Sequence, residues 1–190
     1  MPALCFVDTE TTSLDRHKRV AWEIAMVRRE EDGSEKRIEF QMELTNREVN
    51  NADPVSLDIG GFDERYDEVA AYSRKTAAAL IAEYTHEAIL VGRQVHFDAD
   101  NLSDILEGQG QYPTWNYRLF DVMTLAKGYL LNHDNITNVS DSVVELFDGG
   151  SERLAEWLGV NPSDFASHTA MGDVEYDMAV YDAIQEAVYG

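Results

Sequence analysis

Cysteine is nearly absent from this sequence, with Cys5 standing alone among 190 residues. A lone thiol forms no intrachain disulfide, so a disulfide-stapled secreted scaffold is excluded and a reducing compartment, the cytoplasm, is expected. Cys5 itself reads as a small core side chain in an apolar strand. Proline is scarce too, at four residues, and no glycine- or serine-rich tract marks a linker or a repeat. Residues 1–190 therefore read as a single domain, long enough to bury a sizeable core. No apolar run nears the ~20 residues that span a bilayer, and Asp8 interrupts the one apolar stretch close to the N-terminus, so neither a signal peptide nor a membrane partner is expected. Basic residues are few, 15 Lys and Arg against 36 Asp and Glu, for a formal net charge of −21. A broad grip on duplex phosphates needs a basic footprint, and here only Arg16-His17-Lys18-Arg19 gathers cations.

What the chain has in plenty is carboxylate, and the placement of a few is informative. Asp8 and Glu10 close the apolar run Leu4-Cys5-Phe6-Val7. In a strand, residues i and i+2 point to the same face, so two anions are aimed at one point, which is unfavourable unless a cation sits there. Val91-Gly92-Arg93-Gln94-Val95-His96-Phe97-Asp98 follows the apolar run Ala88-Ile89-Leu90-Val91 and delivers a third carboxylate near the start of a helix. His168-Thr169-Ala170-Met171-Gly172-Asp173 delivers a fourth at the head of the last helix, with a histidine five residues before it.

In this order and at about these separations, the three motifs resemble those of the DnaQ-like 3′–5′ exonucleases of the DEDDh type: Asp-x-Glu-Thr-Thr/Ser, a Phe/Tyr-Asp, and His-x-Ala-x-x-Asp. Phe120-Asp121-Val122-Met123-Thr124-Leu125-Ala126 is similar to a further family segment, so the likeness covers nearly the whole chain. It departs from the family where Gln94 replaces the usual Asn and Arg93 a frequent His, positions that are not metal ligands there.

Element signals agree with an α/β fold. Leu4 to Asp8, Ala21 to Arg29 and Lys36 to Leu44 read as three strands in an antiparallel meander, with Glu31-Asp32-Gly33 turning the second into the third. Arg74 to Tyr84 is helical in composition, Ile89 to Val91 a short buried strand, Asp98 to Leu106 a helix, Tyr117 to Phe120 a strand and Val122 to Leu130 a helix. Strands alternating with helices predict parallel pairing in this half. Val143 to Phe147, Leu154 to Leu158 and Gly172 to Ala187 read as helices, with Gly149-Gly150 as a stop between the first two. The sum is a mixed five-stranded sheet flanked by helices, the ribonuclease H-like architecture that the resemblance implies. Asn46 to Tyr72 reads as a long link without obvious structure.

The resemblance implies that Asp8, Glu10, Asp98 and Asp173 hold two divalent metal ions, Mg²⁺ or Mn²⁺. Hard cations favour carboxylate oxygens, and a metal pair roughly 3.5–4 Å apart suits phosphodiester hydrolysis. His168 is then the general base, since its ordinary pKa lies near working pH. Thr11 and Thr12 resemble the segment that meets the terminal nucleotide, against a bland reading as turn formers. Phe97 is weighed between core packing and base stacking, and Gln94 lies where edge contacts with the substrate are made. Asp121 resembles a helix-capping position. Arg16, Lys18 and Arg19 are candidates for the substrate backbone. Trp22, Trp115 and Trp157 read as packing, and His17, His86, His96 and His133 match no motif.

The expected activity is 3′–5′ hydrolysis of single-stranded or frayed DNA to nucleoside 5′-monophosphates. A grip on a few terminal nucleotides, with bound cations reversing the local charge, is compatible with the acidic composition. Rivals are an oligoribonuclease- or ribonuclease-T-like enzyme on short RNA, a proofreading subunit partnered by a polymerase, and a binding domain that does not cut. The last would have lost a ligand or the histidine, and none is lost. Homo-oligomerisation is left open.

Overall fold

The computed structural model describes residues 2–133 and 150–189. β1 (Leu4–Thr11), β2 (Ala21–Arg29) and β3 (Glu35–Gln41) are followed by α1 (Asn46–Asn50), α2 (Pro54–Ile59), α3 (Phe62–Arg65) and α4 (Arg74–Thr85). Next come β4 (Ile89–Gly92), α5 (His96–Gly108), β5 (Phe120–Asp121), α6 (Val122–His133), α7 (Gly150–Trp157), a 3₁₀ turn at Pro162–Asp164 and α8 (Ala170–Tyr189). The five-stranded sheet runs β3-β2-β1-β4-β5. Its first three strands are antiparallel, while β4 pairs in parallel with both β1 and β5, as expected.

β1 is the middle strand and is buried on both faces, which explains its nearly continuous apolar run. Alternate residues serve two cores. Cys5 and Val7 join Ile24, Met26 and Leu90 against α4 and α5, where Ile81, Leu102 and Leu106 lie; Phe6 joins Ala25, Val27 and Val91 against α6, α7 and α8, where Val122, Leu154 and Val174 lie. The Phe6 face, carried two and four residues on, holds Asp8 and Glu10. The same period that buries Phe6 therefore delivers both carboxylates to the edge of the second core, beside α8.

Several boundaries differ from expectation. β1 continues past Asp8 to Thr11, β3 ends at Gln41, and β5 keeps only two residues, Phe120–Asp121. Gly150 opens α7 instead of stopping a helix, and α8 starts two residues early, at Ala170. The expected helix at Val143–Phe147 lies outside the described residues.

The larger correction concerns Asn46 to Tyr72, which is built from α1, α2 and α3. α1 starts in a capping box between Thr45 and Glu48, and α2 is capped by Asp53 with Pro54 in its first position. Each helix is too short to stand alone. The segment is fixed by aromatic packing: the Trp22 ring meets Phe62 edge-on at 5.1 Å and Tyr66 at 6.2 Å, while Phe62 and Tyr66 stack at 4.6 Å. Trp22 is fully buried and Trp115 partly so, as expected of packing residues. Trp157 is not: it is 43% exposed, with the Arg153 guanidinium 5.3 Å from its ring centroid. No helix among the described residues is long and apolar enough to cross a membrane.

Candidate active site

The carboxyl ends of β1 and β4 meet the heads of α5 and α8 at one end of the sheet's central strands. Strand β1 has an antiparallel neighbour on one side and a parallel one on the other, the kind of switch point at which open sheets form clefts. Carboxylate oxygens of Asp8, Glu10 and Asp173 lie within 4.8 Å of one another. Asp173 comes from the first turn of α8, where an anion is favoured by the helix dipole. Its Oδ2 accepts the backbone N–H of His168 at 3.2 Å, and its Oδ1 accepts from the Arg93 guanidinium.

Asp98, on the first turn of α5, is 3% exposed and lies deeper than the other three. Its Oδ1 accepts the Thr9 hydroxyl at 2.7 Å, and that hydroxyl in turn accepts from Asn101 Nδ2 at 2.9 Å. Asp98 is thus turned toward Thr9, outside the tight trio, yet close enough to act on the charge of Asp8.

Burial and mutual repulsion show in the protonation of the group. Asp8 is pushed well above the usual carboxylate range by burial, then by Asp98, Asp173, Glu10 and Asp177. Glu10 is raised by burial and by Asp173 and Glu23, with Arg65 and His168 opposing. Burial lifts Asp98 to about 8, against the Thr9 hydrogen bond, and lifts Asp177 to about 7, against the pull of Arg93. Carboxylates held this close and this dry favour either protons or cations. An all-oxygen donor set of this kind fits hard divalent ions.

His168 sits on the exposed turn before α8, with a left-handed φ of 61°. Its carbonyl accepts from Arg65 Nη1 at 2.9 Å. Arg65, from α3, also donates to the Gly60 carbonyl at 2.5 Å and to the carboxylate of Glu23, and lies 5.3 Å over the Trp22 ring. Glu23 stands opposite Glu10 in the β1–β2 register and is buried. The segment from Asn46 to Tyr72 is therefore a wall of the site. A side chain at Gly60 would come within 3.0 Å of Glu10 Oε2 and 3.2 Å of Trp22.

The other expected residues are placed as follows. Thr11 and Thr12 are buried at the end of β1 and the start of the turn after it; Thr11 donates to the Ser13 carbonyl at 3.0 Å, and the Thr12 hydroxyl accepts the Val20 N–H at 3.0 Å. The Thr12 carbonyl accepts the Asp53 N–H at 2.8 Å, tying this turn to the α1–α2 junction. Gln94 is exposed, with φ of 49°, and its N–H donates to Asp121 at 2.8 Å. Asp121 also accepts the Thr124 N–H at 2.7 Å, the capping role expected of it. Phe97 is partly buried beneath the Arg19 guanidinium, 4.3 Å from its ring centroid. Arg16 and Arg19 share Asp100, at 2.7 and 3.3 Å, and Lys18 lies 3.8 Å from Asp15, so all three candidate phosphate-binding cations are already paired within the chain.

Four residues near the site carry no motif role in the sequence: Glu23, Arg65, Arg93 and Asp177. Glu23 is detectable as a charge inside the apolar strand Ala21-Trp22-Glu23-Ile24, and Asp177 as an acid one helical turn after Asp173. Arg93 is visible only as a departure from a family pattern, and Arg65 through no local signal.

The model of the exonuclease family RNase T matches residues 5–181. This chain belongs to that exonuclease family. The DnaQ-like resemblance of its motifs is borne out, and with it the ribonuclease H-like fold. No curated protein sequence matches it. Among solved structures it is similar to E. coli exonuclease I in a zinc-bound complex with single-stranded DNA, at 16% identity and a TM-score of 0.77, over 97% of this chain and 40% of that one. Exonuclease I of E. coli with a dT13 oligonucleotide matches at 18% identity and 0.70, over 97% and 41%. The complex with dA16 matches at 16% and 0.73, over 98% and 41%. The chain thus spans about two fifths of the length of these structures.

Proposed function

We propose that this chain is a divalent-metal-dependent 3′–5′ exonuclease that releases nucleoside 5′-monophosphates from single-stranded DNA. The observation that carries the reading is the convergence of Asp8, Glu10 and Asp173 beside the His168 turn. Asp8, Glu10, Asp173 and the deeper Asp98 would hold two cations, Mg²⁺ or Mn²⁺, which when bound neutralise phosphate charge and ease attack by water.

The chain's own residues do the rest. His168 takes the proton of the attacking water, and its position is held from behind through its N–H on Asp173 and its carbonyl on Arg65. The Thr11–Thr12 turn and the Gly60 wall would bound the place of the terminal nucleotide, with Phe97 and Gln94 as further contacts for the strand. DNA is favoured over RNA because the similar exonuclease I structures hold DNA oligonucleotides. Action in the cytoplasm is compatible with the buried free thiol of Cys5.

Digestion of matched 5′-end-labelled DNA and RNA oligonucleotides with Mg²⁺, Mn²⁺ or EDTA tests this. Expected are a ladder shortening from the 3′ end on DNA, no cleavage in EDTA, and near-complete loss with Asp8→Asn. Cleavage by Asp8→Asn at the wild-type rate overturns the site. Faster cleavage of RNA overturns the substrate.

A further inference from the structure

Arg93 brings a full positive charge to the carboxylate cluster. Its guanidinium donates to Asp173 and sets Nε 2.9 Å from Asp177 Oδ1, while its backbone N–H donates to Asp177 Oδ2 at 2.8 Å. The Tyr176 ring lies 4.7 Å from the guanidinium carbon. Asp177 is only 1% exposed, whereas the Arg93 side chain is 26% exposed. The approach of Nε to Asp177 is one of charge, since neither atom completes an aligned hydrogen bond among the described residues. The buried partner is thus held by the backbone N–H of residue 93 as well as by the charge of its guanidinium, so Asp177 keeps a donor wherever the guanidinium points.

Charge balance assigns this guanidinium a use. Asp8, Glu10, Asp98, Asp173 and Asp177 form one interacting set of five carboxylates. When all five are ionised, two divalent cations match four of the charges and Arg93 matches the fifth. Asp173 is the member of the set whose carboxylate the Arg93 guanidinium contacts. A planar fork holds two carboxylates in a fixed geometry, whereas an ammonium meets them as a compact point charge.

We propose that Arg93 is the resident counter-ion of this cluster, a positioning residue that covers Asp173 when divalent cations are absent, cedes it when they bind, and stays on Asp177 throughout. The inference rests on the reading of Asp173 as a ligand. It has two consequences of opposite sign. Arg93 keeps the metal-free site assembled, and by competing for Asp173 it weakens metal affinity.

The test compares wild type, Arg93→Gln and Arg93→Lys after stripping with EDTA, reading the metal-free melting temperature and the Mn²⁺ dissociation constant by calorimetry at pH 8. Loss of a charge-assisted pair predicts that Arg93→Gln melts lower without metal yet binds Mn²⁺ roughly tenfold or more tightly. Arg93→Lys, with one charge and no fork, falls between; if Arg93→Gln does not fold, tighter binding by Arg93→Lys than by wild type supports the proposal in its place. A support for the ligand geometry would show weaker Mn²⁺ binding on substitution, and a bystander no change; either result overturns the proposal. Mn²⁺ binding by Arg93→Gln but not by wild type would be its extreme confirmation. Absence of Mn²⁺ binding in every protein would overturn the metal site itself, and this inference with it.

Discussion

Glu23 Oε2 accepts the backbone N–H of Ala170 at 3.0 Å, joining the second strand to the first residue of α8. The same oxygen accepts from Arg65, so one buried carboxylate ties the sheet, the three-helix segment and the helix that carries Asp173. Arg65 extends the tie to the His168 carbonyl.

Removing Arg65 therefore has two separable effects. Arg65→Ala strands Glu23 as a buried unpaired charge and is expected to cost about 2–3 kcal/mol in urea denaturation. It also frees the His168 turn, so kcat should fall while the Mn²⁺ dissociation constant changes little. Arg65→Lys should recover more of the stability than of kcat, because one ammonium does not reach all three acceptors. Wild-type kcat in Arg65→Ala would remove the segment from any role in catalysis.

The left-handed backbone at residue 168 decides how the proposed base is best tested. Asparagine tolerates this region better than alanine. His168→Asn is expected to lose roughly 10²–10⁴-fold in kcat with fold and Mn²⁺ affinity retained. His168→Ala should lose the same activity and a further ~1 kcal/mol of stability. If His168→Asn weakens Mn²⁺ binding as much as Asp173→Asn does, the histidine is a ligand and not the base.

Stability of the metal-free protein should fall as pH rises. Burial raises Asp98 to about 8 and Asp177 to about 7 from an ordinary 3.8, and raises Asp8 as well. The folded chain thus keeps protons that the unfolded chain releases near pH 4. That stabilisation is fully present below pH ~4 and is lost as pH climbs through the folded values. Between about pH 5 and pH 8.5 the melting temperature in EDTA is expected to drop by about 5 °C or more. Saturating Mn²⁺, which on the proposed reading binds the ionised carboxylates, should reverse most of the drop. A flat profile in EDTA would contradict the shifts.

Gly172 is required by space, not by torsion. A Cβ there would collide with the Ala166 carbonyl and stand 2.7 Å from Thr169 Oγ1, the two groups that shape the His168 turn. Gly172→Ala is expected to cost about 2–3 kcal/mol and to lower kcat, because the turn must move away from α8. Gly128→Ala, inside α6 with nothing within 4 Å of the added carbon, is the contrast and should stabilise by about 0.5–1 kcal/mol.

How far such relationships can be read from the chain alone depends on their range along it. Asp8 and Glu10 are legible because a strand repeats every two residues, and Asp98 and Asp173 because helix heads carry local signals. The antiparallel pairing of the first half follows from the hairpin signal and the parallel pairing of the second from strand and helix alternation. The segment holding α1 to α3 escapes such reading although Thr45, Glu48, Asp53 and Pro54 spell its caps, because helices of four to six residues display no hydrophobic period. β5 is misplaced for the same reason, since two residues make no pattern. The bonds from Arg65 to Glu23 and to His168 join residues far apart in sequence, and no neighbouring residue announces them. Trp157 shows the converse: an aromatic type suggests burial, and its place at the exposed end of α7 does not supply it.

The residues of the carboxylate trio come from opposite ends of the described chain, Asp8 from the first strand and Asp173 from the last helix. Their loop is among the longest the fold must close, and closing it has the largest entropic cost. A nascent chain can pair β1, β2 and β3 and settle Asp8 and Glu10 before α8 exists, with no fourth element to crowd their charge. Docking of α8 adds Asp173 and Asp177 to the charges of Asp8, Glu10 and Asp98 already gathered, so the docking step completes the electrostatic cost of the cleft. Divalent cations should accordingly slow unfolding far more than they hasten folding, and the cleft becomes competent last, after the rest of the sheet is already in place.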